Sequence, residues 1–452
     1  MKVPTAHRKN SGWIVVRRFL FSVAVGILMF SQRATAQQPS TIEPSPPVTG
    51  AGMAGESKPA TPLRELLEEV EQTNPELAGA YHAWKAATYA GQQAGSFPDT
   101  QVFVQHFSVG SPRPFAGYTD SDFAYIGAGV SQDVPFPGKR TLRRAVADRE
   151  ADSLHEQIDT VRRQAIEQLK LTYLRLAYIQ QTLGFLHDSD QLLDQVRQAA
   201  ESRYRVGEGN QQDVLKAQLQ HTKILREITH HHQEEGQLEA QLKRILNRPQ
   251  TSPDITAEPL TLTVLQYTDG ELMQHVRDDN PDIQTRSKMV LQQDAQIELA
   301  YREFLPDFNI QYTYQHTASK FRDYYMATFG IRFPNRGRQF AALAQAYRNQ
   351  ERAKQELQGE EQRVLSEIKQ QSVFVRASEE RLKIYNEGLL PQSDATFRSG
   401  LAIYQSGSRQ DFGSLLASFL DVLNVQLEYR QELAEHESAL ARLERLTGVT
   451  LR

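Results

Sequence analysis

Asn74-Pro75-Glu76-Leu77 recurs about two hundred residues later as Asn280-Pro281-Asp282-Ile283. Outward from this pair the correspondence continues. Phe97-Pro98-Asp99 returns as Leu305-Pro306-Asp307, and Tyr204-Arg205-Val206-Gly207 returns as Tyr404-Gln405-Ser406-Gly407. The ending Leu242-Lys243-Arg244-Ile245-Leu246-Asn247 has its counterpart in Leu443-Glu444-Arg445-Leu446-Thr447-Gly448. One elongated unit is written twice, over 62–249 and 269–449, with a linker at 250–268. Duplicated units usually pack as equivalents around an axis, so a ring or barrel is expected.

Each copy follows the same plan. In the first, residues 63–96 read as helix interrupted at Asn74-Pro75, where Asn caps and Pro occupies the first turn. Two strands, Thr100–Val109 and Phe123–Val134, follow across a Pro/Gly-rich loop. From Lys139 to Tyr204 there is no proline, and Leu169, Thr172, Leu176, Ile179, Leu183 and Leu186 recur in steps of three and four. That periodicity predicts one coiled-coil-like helix spanning roughly 100 Å. A turn at Gly207 and a returning helix close the copy. The second copy predicts a helix over Asp282–Phe304, strands from Asp307 and near Tyr325–Phe333, and a long helix over Arg338–Tyr404. Gly388 and Pro391 are expected to kink that helix. After the turn at Gly407, a return helix carries Leu416, Leu420, Leu423 and Leu427.

The strand opened by Asp307 is the most regular. Phe308, Ile310, Tyr312 and Tyr314 alternate with Asn309, Gln311, Thr313 and Gln315. By itself this alternation fits a soluble sandwich as well as a membrane barrel. Four strands beside helices this long, in an exported chain, fit a barrel better, with the aromatic series facing lipid. Four strands cannot close a barrel, so several chains must contribute.

Export is read from the N-terminus, where basic residues precede the apolar run 19–30 and Ala34-Thr35-Ala36 follows. This pattern predicts a signal peptide over 1–36, cleaved before Gln37. The run is too short for a membrane span. Residues 37–61, rich in Pro, Ser and Gly, read as a disordered lead-in. The 452 residues include no cysteine, which excludes disulfides and a lipidated cysteine anchor. A net charge of −4 suggests no nucleic-acid partner. Mean hydropathy of −0.54 is too polar for a helical membrane protein and compatible with a β-barrel.

With these motifs in order, the chain resembles the TolC-type outer-membrane efflux channels over residues 63–449. The string Val130-Ser131-Gln132-Asp133-Val134-Pro135-Phe136-Pro137-Gly138-Lys139-Arg140 looks most like the heavy-metal (CzcC- and CusC-like) branch. The resemblance implies a mainly helical fold with a small β part. Three chains, four strands each, would close a twelve-stranded barrel continuous with a periplasmic α-barrel. It also implies a passive exit duct for heavy-metal cations or small toxic compounds. Its partners would be a periplasmic adaptor, an inner-membrane pump of RND type, and outer-membrane lipid. The alternatives are a channel for type I protein secretion and, from another class, a soluble periplasmic coiled-coil scaffold.

No nucleophile, zinc-protease, P-loop or dinucleotide motif occurs, so neither enzyme activity nor a cofactor is expected. His230-His231-His232 invites a metal reading, but consecutive residues point about 100° apart on a helix. By resemblance, the helical turns would form the periplasmic tip and gate. Tyr404 and Arg409 match the family's tyrosine and arginine, and Asp213 occupies the analogous place in the first copy. Tyr204, Gly207 and Gly407 complete the turns. Where many members carry aspartates, this chain has Gly413 and Leu416, with Asp411 displaced.

Overall fold

The computed structural model describes residues 60–108, 124–317, 323–406 and 411–451. All lie in the compact unit Lys58–Arg452. The expected signal peptide, the lead-in up to residue 59, and Gly407 and Arg409 fall outside the described residues.

The chain runs α1 (Leu63–Thr73), α2 (Pro75–Ala94), β1 (Gln101–Phe107), β2 (Tyr125–Val134), α3 (Lys139–Arg205) and α4 (Gln211–Ile245). The second copy gives α5 (Asp269–Asp279), α6 (Pro281–Arg302), β3 (Asp307–Thr317), β4 (Asp323–Arg332), α7 (Arg336–Ile384), α8 (Leu390–Gln405) and α9 (Phe412–Thr447). The expected Arg338–Tyr404 helix is interrupted by a π turn at Tyr385–Leu389. Pro391, which has no N–H to give, stands in the first turn of α8 just beyond it.

The paired Asn-Pro motifs do the same work in both copies. Asn74 accepts from the N–H of Glu76 and Leu77, and its Nδ2 donates to Ile245 O at 3.0 Å. Asn280 accepts from Asp282 and Ile283, and its Nδ2 donates to Leu446 O at 2.9 Å. Each asparagine thus caps one helix and ties it to the end of its own copy's return helix. Both are buried, so replacing either would strand donors and acceptors away from water.

α3 is one helix of 67 residues, roughly 100 Å long. Its buried stripe, Leu169, Tyr173, Leu176, Leu183, Leu186, Leu193, Val196 and Ala200, has coiled-coil spacing and joins α4, α8 and α9 in the main core. A second core gathers Leu272, Val276, Val364, Ile368, Val375 and Leu443 from α5, α7 and α9. The linker is an extended strap across both. Gln180 on α3 brackets it by donating to Ile255 O and accepting from Ala257 N. Further on, the carboxylate of fully buried Glu437 accepts from Thr263 N at 2.8 Å.

The strands form one antiparallel sheet in the order β1-β2-β3-β4. Its edges among the described residues are β1 and β4. Among the described residues no helix is long and apolar enough to cross a membrane.

Candidate functional site

The sheet sorts its side chains by face. Val102, Val130, Tyr312 and Ala327 align across the four strands, as do Val104, Ala128, Tyr314 and Tyr325. This apolar face is open: Val102 is 79% exposed, Ile310 52% and Tyr312 48%. Phe308 on the same face is half-buried between other rings. On the opposite face Gln101, Ser131, Gln311 and Thr328 align, and Thr313 is fully buried. Asn309 bridges Ser131 and Asp133 on this polar face, at 3.0 and 2.9 Å. Phe103 also lies here, its ring filling the space above Gly129, where any Cβ would come within 2.4 Å.

The strand-to-helix junction consumes the Gly-Lys-Arg string. Gly138 sits at φ 93°, a left-handed conformation that lets the chain turn into α3. The Lys139 ammonium, 1% exposed, lies 2.9 Å from Asp307, 3.2 Å from Glu303 and 2.7 Å from Leu305 O, which accepts from it. Asp307 also accepts from Phe136 N at 2.9 Å. Arg140 lies over the Phe97 ring at 3.5 Å. The string therefore ties both copies together where sheet becomes helix, a role that carries no information about cargo.

At the tip, Gly207 adopts φ 79° and Glu208 N donates back to Arg203 O at 2.9 Å, ending α3. The equivalent tyrosines have different surroundings. Tyr204 is exposed, whereas Tyr404 is 3% exposed, with Phe412 edge-on at 5.8 Å. Arg203 crosses from α3, its guanidinium 4.8 Å from the Tyr404 ring centre and Nη1 donating to Tyr404 O at 3.4 Å. Burial pushes the Tyr404 phenol above its ordinary pKa. Arg203 opposes that shift, and Asp213 and Asp411 add to it. Asp213 is half-buried in the first turn of α4, while Asp411 is exposed as N-cap of α9. The structure thus brings Tyr404, Asp213 and Asp411 within electrostatic reach. It adds Arg203, which sequence reasoning missed because nothing local marks an arginine one residue before the turn motif.

The histidine run does not converge. His231 Nδ1 is 3.4 Å from Glu234, and His232 pairs with Glu235 at 3.3 Å. His230 is exposed. Among the described residues no group of three or more His, Asp or Glu side chains is placed to hold a metal ion.

The model of the outer membrane efflux protein family matches residues 66–248 and 272–449, the two copies. The chain belongs to this family. No curated protein sequence matches it. Among solved structures it is similar to the outer-membrane channel OprN, at 16% identity over 86% of this chain and 90% of that one, with a TM-score of 0.73. It is similar to VceC from Vibrio cholerae at 19% identity, covering 86% and 97%, with a TM-score of 0.70. CusC is similar at 14% identity, covering 86% and 92%, with a TM-score of 0.73. At these identities the likeness shows the fold. This efflux channel is non-enzymatic and has a TolC-like architecture, in which α-barrel and β-barrel are continuous. It serves efflux across the outer membrane.

Proposed function

We propose that three copies of this efflux channel close into a passive exit duct. Its twelve strands cross the outer membrane and its long helices enclose a periplasmic tunnel. The observation that carries this reading is the sheet. Among the described residues it has four strands, two unpaired edges, and an exposed apolar face backed by a polar one. Unpaired edges in lipid would leave backbone groups unsatisfied, and pairing β4 of one copy with β1 of the next removes them. The duct holds no energy source of its own, so a periplasmic adaptor and an RND-type inner-membrane pump drive transport.

The cargo proposed is heavy-metal cations or small toxic compounds. The first is motivated by the resemblance around Pro137-Gly138-Lys139-Arg140, although these residues are also accounted for by the junction. The tip is proposed as a gate held shut by Tyr404 with Arg203, with Asp213 and Asp411 beside them; Arg409 is proposed as a further member by resemblance alone. Deleting the gene tests the cargo. Sensitisation to metal salts more than to dyes or detergents supports the metal reading, and unchanged metal tolerance with lost drug tolerance refutes it.

A further inference from the structure

An aromatic column leaves the apolar face of the sheet at its helix end. Phe329 stacks on Phe308, with centroids 5.7 Å apart and planes at 24°. Phe308 stacks in turn on Phe136 at 6.2 Å and 29°. Arg302, the last residue of α6, places its guanidinium 5.7 Å from the Phe136 ring. Because Phe308 and Phe329 belong to the apolar face, the column fixes where Arg302 stands: at the helix-side foot of the apolar surface.

Arg302 is exposed, and its Nε donates to Pro137 O at 3.3 Å. It makes no ion pair among the described residues. The acids nearest in sequence are engaged elsewhere, Glu303 by Lys139 and Arg143 and Asp307 by Lys139. Arg336 and Arg338 open α7 just after β4 ends. Both are exposed and likewise form no ion pair among the described residues. They stand at the positive end of a helix dipole, where a cation is unfavourable unless an anion accompanies it. Phe333 and Phe340 flank them, 76% and 62% exposed.

We propose that this rim binds anionic phospholipid of the leaflet facing the helices. Arg302, Arg336 and Arg338 take the headgroup phosphate, and Phe308, Phe329 and Phe333 lie against acyl chains. A guanidinium fork matches phosphate oxygens, and the charge complements an apolar face that continues directly into the rim. The proposal rests on the sheet crossing a membrane.

The test uses the protein extracted from outer membranes in neutral detergent, with native mass spectrometry counting retained dioleoylphosphatidylglycerol against dioleoylphosphatidylcholine. The wild type should prefer the anionic lipid, and 0.5 M NaCl should weaken that preference. Arg302→Gln should lower retention of the anionic lipid about fivefold, the equivalent of ~1 kcal/mol for one arginine at an anionic surface. The triple change of Arg302, Arg336 and Arg338 to Gln should abolish the preference while leaving phosphatidylcholine retention unchanged. Equal retention of the two lipids by the wild type, or a preference that survives salt or the triple change, overturns the proposal. Retention of neither lipid also overturns it, whereas absence of the protein from the outer-membrane fraction overturns the membrane reading beneath it.

Discussion

The Arg203–Tyr404 contact gives the proposed gate a measurable strength. The guanidinium is half-buried and 4.8 Å from the ring centre, within cation–π range, whereas the 3.4 Å contact to Tyr404 O is too long to add much. A partly desolvated contact of this kind is worth about 1 kcal/mol. Repeated in three copies that open together, it biases closed over open by ~3 kcal/mol, or about 150-fold. Arg203→Gln should therefore raise the open probability of single channels in planar bilayers by about two orders of magnitude. Tyr404→Leu should do the same, and Tyr404→Phe, which keeps the ring, should do much less. Combining Arg203→Gln with Tyr404→Leu should add little to either alone, because both remove one interaction. Wild-type gating in Arg203→Gln, or full additivity in the double variant, would refute the reasoning.

Three further outcomes follow from the geometry. Ile310→Arg, on the open apolar face, should cost about 2–4 kcal/mol and deplete assembled trimer on unheated gels, while Thr328→Arg, exposed on the polar face, should be better tolerated; equal losses would sink the face assignment. Lys139→Met leaves Asp307 and Glu303 without their buried cation and should cost about 2–4 kcal/mol. Arg143→Gln, at the more exposed end, should cost less than about 1 kcal/mol, with thermal dissociation of the trimer as the readout. Burial and a hydrogen bond to Asp254 on the linker push the Glu239 carboxyl up to about 7. The folded state thus favours its protonated form, giving stability that is full below the ordinary 4.5 and lost as pH rises through about 7. After solvent screening the effect is about 1 kcal/mol, so amides of 250–256, corrected for intrinsic rates, should exchange faster at pH 8 than at pH 5 in wild type but not in Glu239→Gln.

Much of this was legible in the sequence because it follows local rules. Asn74 and Asn280 announce caps, the Tyr-x-x-Gly motif announces the turn at Gly207, and the alternation from Phe308 to Tyr314 separates two faces. The π turn at Tyr385–Leu389 was foreshadowed by Gly388 and Pro391. What could not be read depends on partners far away in the chain. Tyr204 and Tyr404 share a motif, yet only the second is buried, because Arg203 and Phe412 close over it. The Gly-Lys-Arg string reads as a family mark, but Lys139 is held by Glu303 and Asp307 from the other copy. Arg302 carries no motif at all; its place is visible only once Phe136, Phe308 and Phe329 stack above it.

In the proposed trimer three chains complete what one cannot, a closed barrel without free strand edges. The native mass of the protein extracted from the outer-membrane fraction tests it most directly. A single species containing three copies is expected, falling to monomers only when the sheet is unfolded. A stable monomer or dimer in that fraction would contradict it.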